Sequence, residues 1–199
     1  MAARKLDTEV RQEQIARAAL DIVARHGIKG LSVAAVAREV GIVPSAIYRH
    51  FRSKDDVIDA VLALVRGRLE GNVKAVREET ADPFERLRRL LVRHVALVSE
   101  NRAILRIIIS EAILEGRPER RASVHHILWG YLAEVAEIVR LGQEAGQIRS
   151  DVAAEALAVM FLGLIQSAAI LWHVSDGAFD IAGQAERAWL IFSDAIRKH

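Results

Sequence analysis

The chain has 199 residues, of which 52% are hydrophobic, so it is long enough for one or two compact domains and too apolar for a disordered chain. It contains no cysteine, which excludes disulfide bonds, thiolate metal sites and thiol nucleophiles. The net charge is +2, but residues 1–54 hold ten Lys or Arg against five Asp or Glu, which indicates a polyanionic partner for the N-terminal part alone.

The first two predicted helices lie in this basic N-terminal part. Apolar residues at helical spacing predict a helix over residues 8–26, and Gly27 follows at the position of a C-terminal cap. Ser32 is suited to cap a second helix over residues 33–40, which Gly41 ends.

The third and fourth predicted helices follow directly. Pro44 fits the first turn of a third helix, where its missing N–H does no harm, and this helix is predicted to end near Phe51. Ser53 is suited to cap a fourth helix that reaches Glu79, with two aspartates in its first turn.

The rest of the chain predicts five more helices. No stretch shows the period-2 alternation of a half-buried strand, so the fold class is all-α with about nine helices. The predicted elements are helix five from Asp82-Pro83 to a break at residues 100–101, helix six to Gly116, helix seven from Pro118 to about Ala145, helix eight from a cap at Asp151 to about Ser175, and helix nine from about Ile181 to Arg197.

The most apolar stretch, residues 156–172, lies in predicted helix eight. It has only 17 residues and includes Gln166 and Ser167, so it predicts a helix buried on most sides rather than a membrane span. The first ten residues, MAARKLDTEV, lack the apolar segment of a signal peptide. We therefore expect a cytoplasmic protein without a membrane partner.

Residues 33–52 have the pattern of a helix-turn-helix. Two short helices that meet at a steep angle need a small residue at their contact, which Ala37 provides, and a turn residue that tolerates positive φ, which Gly41 provides. Val36 and Ile47 supply the apolar contact between the helices. The second helix of such a unit enters the major groove of DNA.

The expected DNA contacts fall into two groups. Donors at the exposed side of the third helix and just beyond it are suited to phosphates, which position the protein without reading sequence. The start of the helix is suited to base edges, with its apolar side chains suited to thymine methyl groups, and Arg49 is suited to guanine or to a phosphate. The predicted contacts are Val43, Pro44, Ser45, Tyr48, Arg49, His50 and Lys54.

The stretch LSVAAVAREVGIVPSAIYRHFRSKDDVIDAVL resembles the DNA-binding domain of the tetracycline-repressor (TetR) family of bacterial transcription regulators. The close similarity covers roughly residues 10–62. The resemblance implies phosphate contacts at Ser32, Tyr48, His50 and Lys54. The matching positions are Ser32, Val36, Ala37, Gly41, Ile47, Tyr48, His50, Phe51 and Lys54.

The sequence departs from the family pattern at the start of the third helix. Val43 stands where the family usually has Ser or Thr, and a valine side chain cannot cap a helix. Ser45 stands at a position that is often Gly or Ala.

The last two predicted helices carry more apolar side chains than one side of a small body needs. A two-fold homodimer through a four-helix bundle would bury them, and the resemblance implies the same arrangement. The apolar residues are Leu157, Met160, Phe161, Leu164, Ile165, Ala168, Leu171 and Trp172 in helix eight, and Ala188, Trp189, Ile191, Phe192 and Ile196 in helix nine.

The resemblance also implies a small molecule bound inside the helical body. Such pockets are apolar with a few polar groups, and the apolar surplus here suggests a largely hydrophobic effector. The candidate lining residues are Ile108, Trp129, Leu132, Phe161 and Gln166.

Catalysis has little support in the sequence. No two of the seven histidines have the i, i+3 or i, i+4 spacing that places ligands on one helix face, and no phosphate-binding loop or nucleophile motif occurs. We therefore expect no enzyme activity, no metal and no cofactor.

The sequence thus predicts a helix-turn-helix DNA-binding domain over residues 1–53 and an effector-binding and dimerisation domain over residues 54–199. The predicted function is a ligand-responsive transcriptional regulator, most consistent with a repressor, that binds a roughly palindromic operator as a homodimer. One alternative is an architectural or cell-division-type DNA-binding protein without an effector. Another is an interaction module whose head no longer binds DNA, which only Val43 favours.

Overall fold

The structure is a computed structural model that describes residues 8–48, 51–108, 110 and 118–198. These residues form two compact units. The first joins the described residues up to Gly67 with those between Asn101 and Val124, and the second joins Arg68–Glu100 with those from His125 onward. The predicted division at residue 53 concerns function and stays a prediction, because the units are defined by packing.

The described residues are almost entirely α-helical, which confirms the predicted all-α class. A short 3-10 helix, Ile28–Gly30, follows the first α-helix. The α-helices, numbered in chain order, are α1 (Thr8–His26), α2 (Val33–Val40), α3 (Pro44–Ile47), α4 (Lys54–Glu79), α5 (Pro83–Glu100), α6 (Ala103–Ile108), α7 (Pro118–Glu144), α8 (Ala154–Val174) and α9 (Ile181–Ile196).

The core of the first unit begins where α1 packs against α2. In α1, Ile15, Ala19 and Val23 recur every four residues and are fully buried, so they form one apolar face of the helix. In α2, Val36 and Ala37 are buried against that face, and the small side chain of Ala37 lets α3 approach as well.

Two arginines tie later segments of the chain to the first unit. Arg106 of α6 donates from Nη1 to the carbonyl oxygen of Ala24 at 3.0 Å. Arg120, in the first turn of α7, is buried and lies 3.1 Å from an Oδ1 atom of both Asp55 and Asp59. These contacts explain why the first compact unit includes residues beyond the predicted DNA-binding domain, which ends at residue 53.

The second unit is centred on α5, α8 and α9, which pack on one another. Phe161 of α8 is fully buried, and its ring centroid lies 6.1 Å from that of Phe192 in α9. Trp189 lies 6.2 Å from the same ring, so three aromatic residues join α8 to α9.

The segment after α7 is paired with the C-terminal end of the chain. The amide of Arg149 donates to the carbonyl oxygen of Ile196 at 2.9 Å, and the amide of Lys198 donates to Gln147 at 3.0 Å. Ile148 lies between them and is fully buried. The connection from α7 to α8 is therefore held by backbone hydrogen bonds.

Two predictions about helix ends are wrong. Asp151 does not cap α8, because both of its carboxylate oxygens accept from the guanidinium of Arg149 and the helix begins only at Ala154, after Ala153 without a side-chain cap. Helix six does not continue unbroken to Gly116, because α6 ends at Ile108 and Ser110 lies in a bend. Gly116 itself lies outside the described residues.

Within the described part of the chain, α8 is the helix long and apolar enough to cross a membrane by length and composition. One face of α8 packs against α5 and α9, as in the core helix of a globular protein. This packing favours a core helix over a membrane span but, contrary to the prediction, α8 is not buried on most sides in the single chain, because large side chains such as Ile170 and Leu171 are exposed.

Candidate DNA-binding interface

The turn between α2 and α3 depends on Gly41. Its φ of +73° lies in the left-handed region, which residues with a Cβ atom rarely adopt. The amide of Gly41 donates to Arg38, and the amide of Ile42 donates to the carbonyl oxygen of Ala37 at 3.0 Å. These bonds cap the last turn of α2, and the predicted role of Gly41 is confirmed.

The helix α3 begins without a side-chain cap. Val43 has extended backbone angles at the N-cap position and its side chain makes no hydrogen bond, as predicted. Its carbonyl oxygen accepts from the amide of Ala46 at 2.9 Å. Pro44 occupies the first turn of α3, where a backbone N–H would have no carbonyl acceptor within the helix, so its absence costs no hydrogen bond.

One side of α3 is buried and the start of the helix is exposed. Ile47 and Phe51 are buried, and the amide of Phe51 donates to the carbonyl oxygen of Ile47 at 2.9 Å. By contrast, Val43 is 65% exposed, and Pro44 and Ser45 are exposed as well. The predicted base-reading residues in this part of the helix are therefore accessible to a ligand.

The two predicted phosphate donors Tyr48 and Lys54 differ in their surroundings. Tyr48, at the end of α3, is 53% exposed. Lys54 is half-buried, and its Nζ donates to the carbonyl oxygen of Ile28 at 2.5 Å. Because an ammonium group has three protons, two remain for a phosphate.

Lys29 was missed by the sequence analysis. It is exposed in the 3-10 helix, next to the Ile28 carbonyl group that binds Lys54. Because Lys29 and Lys54 are 25 positions apart, no local pattern pointed to their proximity. The structure thus places a further cation beside a predicted phosphate contact.

The N-terminus of α2 is capped as predicted. Ser32 is exposed, and its Oγ accepts from the amide of Ala35 at 3.1 Å. Arg49 and His50, the two other predicted contacts, lie outside the described residues. Their roles stay predictions.

An exposed ion pair links α1 to α2. Arg25 Nη2 lies 2.6 Å from Glu39 Oε1, and this hydrogen bond raises the pKa of the Arg25 guanidinium above its ordinary value. Because Glu39 already neutralises its charge, Arg25 is a poorer phosphate contact than the exposed Lys29.

Comparison with known proteins gives matches in both predicted domains. Residues 15–61 match the family model described as bacterial regulatory proteins, tetR family. Residues 66–194, more than half of the chain, match the model for the C-terminal region of YsiA-like proteins. The chain belongs to the TetR family. It is accordingly a transcriptional regulator, and its family is one of DNA-binding proteins rather than enzymes.

Several relatives of this TetR-family chain match it over nearly their whole length. A fatty acid metabolism regulator protein of Bacillus subtilis is 24% identical over 84% of this chain and 86% of its own. The nucleoid occlusion factor SlmA of Vibrio vulnificus is 22% identical over 94% and 96%. The crystal structure of the regulator FadR from Bacillus subtilis, in complex with stearoyl-CoA, has a TM-score of 0.77 at 22% identity over 92% and 98%, which shows a shared fold.

The predicted effector residues lie in different environments in this TetR-family chain. In the second unit, Phe161 is fully buried and Leu132 is half-buried, whereas Gln166 is exposed. Trp129 is 58% exposed, and its ring stacks on His125 with centroids 4.0 Å apart. Ile108 is half-buried in the first unit. Their role as a lining set stays a prediction.

Three further features bear on the site. Among the described residues, no group of three or more His, Cys, Asp or Glu is placed to hold a metal ion. Large apolar side chains on α8 and α9 are exposed, including Ile170, Leu190 and Ile191. A histidine–tyrosine pair, His94 with Tyr131, lies inside the second unit and was missed because the two residues are 37 positions apart.

Proposed function

We propose that this chain represses transcription as a homodimer bound to a roughly palindromic operator, and that a small, largely hydrophobic effector releases it. The observation that carries the proposal is the exposed start of α3, held by the buried Ile47 and Phe51 behind the Gly41 turn. A DNA partner requires that the protein act in the cytoplasm.

DNA contacts of two kinds follow from the exposed residues. The hydroxyl of Tyr48, the ammonium groups of Lys54 and Lys29, and the start of α2 at Ser32 are suited to phosphates. Val43, Pro44 and Ser45 are suited to base edges, since apolar groups can contact thymine methyls and a hydroxyl can reach either kind of base.

The exposed apolar side chains of α8 and α9 support a homodimer. Contiguous exposed apolar side chains often mark interaction surfaces in soluble proteins. On α8 they recur on one face with the small residues Gly163 and Ser167 between them, so a second helix can approach closely. The exposed residues are Val159, Met160, Ile170, Leu171 and Val174 on α8, and Leu190 and Ile191 on α9.

An acyl-type molecule is the first effector to test. The names of the relatives support this choice, since one is a fatty acid metabolism regulator and another was solved with stearoyl-CoA. The match over residues 66–194 covers the helices that would enclose such a ligand. The mainly apolar interior of the second unit is also suited to an alkyl chain.

An alternative is a cell-division-type DNA-binding protein without an effector. The similarity to the nucleoid occlusion factor SlmA favours it. Many scattered sites in the genome, and binding that no acyl compound weakens, would support this alternative over the repressor.

The experiment is a titration of labelled operator DNA, selected from genomic fragments, with the purified chain at several salt concentrations. Because phosphate contacts release counterions, affinity should fall steeply with salt. Replacing Lys54 by Ala should weaken binding to all sequences alike and reduce the log–log salt slope by about 1. Tyr48→Phe should also weaken binding uniformly, whereas changes at Val43 or Arg49 should alter the preferred sequence.

A matched control is Lys74→Ala, which removes an exposed lysine of α4 paired at 3.9 Å with Glu78. This variant should bind the operator like the unchanged chain. Salt-independent binding, or equal losses for Lys74→Ala and Lys54→Ala, would contradict the proposed interface.

A further inference from the structure

A polar pair lies between α5 and α7 in the second unit. His94 Nδ1 is 3.0 Å from the hydroxyl oxygen of Tyr131, and the two rings meet edge to face with centroids 5.1 Å apart. Tyr131 is buried and His94 is half-buried. The pair therefore fixes the orientation of the His94 ring.

Most neighbours of this pair along both helices are apolar, and the charged one, Glu134, lies one turn after Tyr131 and is paired with Arg77. Leu90 and Leu91 lie one turn before His94 and are buried, and Val135 lies one turn after Tyr131 and is fully buried. Burial among these side chains lowers the pKa of His94 to about 4, so its imidazole is neutral near pH 7. The pair is thus a neutral polar group packed mainly against apolar side chains, with the Glu134–Arg77 ion pair one turn away.

The hydroxyl of Tyr131 donates to His94 in this pair. If Nδ1 carried the proton instead, the phenol O–H would need another acceptor, and the hydroxyl of Tyr131 has no other hydrogen bond to the residues that the structure describes. A buried donor without an acceptor costs about 1–3 kcal/mol. With the phenol as donor, the proton of the neutral ring is on Nε2.

Within the described part of the chain, the Nε2–H group of His94 has no hydrogen-bond partner. Among the described side chains, the buried polar atom that lacks a hydrogen bond is Oε2 of Glu134, which lies 2.6 Å from Arg77 Nη2 as an ion pair. His94 as a residue is half-buried, so its ring is not completely enclosed by the described residues. A donor that is held in one orientation, lacks a protein partner and belongs to a half-buried side chain is suited to a ligand.

We infer that Nε2–H of His94 donates a hydrogen bond to a carbonyl oxygen of the effector, and that Tyr131 positions the ring. The inference rests on the proposed effector-dependent repression and adds the chemical group that is recognised. An N–H donor does not accept a cation, and a carboxylate would bring an uncompensated charge among apolar side chains. A neutral acyl carbonyl on an apolar chain fits both conditions.

Two matched pairs of probes test the carbonyl contact by calorimetry on the purified chain. Methyl decanoate and decyl methyl ether differ in the carbonyl group, as do decanoyl-CoA and S-decyl-CoA. The carbonyl compound of at least one pair should bind about tenfold more tightly, as one hydrogen bond predicts. The pair that shows the preference tells whether the acyl group is carried by CoA or by a free lipid.

Two substitutions of His94 separate recognition from packing. An asparagine amide reaches the position of Nδ1, and a glutamine amide reaches that of Nε2. His94→Asn should therefore lose the preference for the carbonyl compound, and His94→Gln should retain it. Operator binding by each variant serves as the check that it is folded. In the unchanged chain, the ¹⁵N resonance of the His94 Nε2–H group should shift on addition of the carbonyl compound and should not shift on addition of its matched ether or thioether.

The outcomes separate the two proposals. Equal binding of both members of each pair, or a preference that survives in His94→Asn, would overturn the carbonyl contact. If a carbonyl compound or its ether counterpart still releases the chain from the operator, effector-dependent repression stands. If the chain binds the operator but none of the four probes, the acyl-type effector is overturned together with the carbonyl contact. The proposal that the chain binds DNA then stands.

Discussion

At the residue scale, the start of α3 combines an exposed apolar side chain with a missing cap. Val43 has the extended backbone that an N-cap residue adopts, so a serine could take its place without moving the chain. The amides of the first turn lack the side-chain acceptor that Ser32 gives to α2.

Replacing Val43 by Ser should stabilise the chain by about 0.5–1 kcal/mol, because the new hydroxyl can accept from an amide of the first turn. For a chain of this length the melting temperature should rise by about 2–4 °C per kcal/mol. Thermal unfolding of Val43→Ser and of the control Val43→Ala measures the difference. Equal melting temperatures of the two variants would contradict the prediction that a serine at this position caps α3.

His94 should make the free energy of unfolding depend on pH between about 6.5 and 4. Burial lowers its pKa in the folded chain to about 4, so in this range the unfolded chain binds the proton more tightly. The contribution is complete above pH 6.5, is lost as the pH falls towards 4, and amounts to at most about 3 kcal/mol. Denaturant unfolding at fixed protein concentration should show a smaller loss for His94→Gln. If the free energy of unfolding depended on pH in the same way in the unchanged chain and in His94→Gln, the lowered pKa of His94 would be contradicted.

Residue roles could be predicted from sequence where they depend on the local backbone. Gly41, Pro44 and Ser32 act within a turn or two of their own positions, and the structure confirms all three. By contrast, the bonds from Tyr131 to His94 and from Lys54 to Ile28 join residues 37 and 26 positions apart. Such contacts depend on how helices pack, which no local pattern specifies.

At the scale of elements, α7 contains glycines in opposite environments. A Cβ atom at Gly142 would lie 2.5 Å from Ile148 Cδ1 and 3.2 Å from Pro83 Cβ, whereas one at Gly130 would meet nothing within 4 Å. Because Ile148 is fully buried, its side chain has little room to move. The close contact lies where α7 meets the segment paired with the C-terminal end.

Gly142→Ala should therefore destabilise the chain by about 1–3 kcal/mol, because overpacking outweighs the gain in helix propensity. Gly130→Ala, in the same helix, should be neutral or stabilising by up to about 1 kcal/mol. Chemical denaturation of both variants measures the difference. Adding Ile148→Val, which removes the closest atom, should restore part of the loss in Gly142→Ala. Equal stabilities of the two alanine variants would contradict the close packing.

Helix boundaries were predictable where one side chain had one available partner. Ser53 caps α4 through the amide of Asp56, and Asp82 caps α5 through the amide of Glu85, as the sequence indicates. Asp151 was misread because Arg149, two residues earlier, binds its carboxylate and lowers its pKa. Competition between nearby partners for one side chain cannot be resolved from spacing alone.

At the scale of the whole molecule, the proposed homodimer depends on α8 and α9. Ile191→Glu places a charge on a side chain that is 75% exposed and should separate the protomers, because an unpaired charge is costly in an apolar interface. Val92→Glu, an exposed apolar position on α5, is the matched control and should leave the mass unchanged. Sedimentation measures both. A dimer that persists in Ile191→Glu would exclude this interface.

The most direct measurement is the sequencing of genomic fragments captured by the purified chain. A dimeric repressor predicts a few sites, each with two inverted half-sites whose centres lie about one helical turn of DNA apart. The same sites should be captured more weakly when Lys54 is replaced by Ala, and they should be captured normally by Lys74→Ala. The absence of any enriched sequence would contradict sequence-specific regulation. Many scattered sites without an effector response would favour the alternative of a cell-division-type DNA-binding protein.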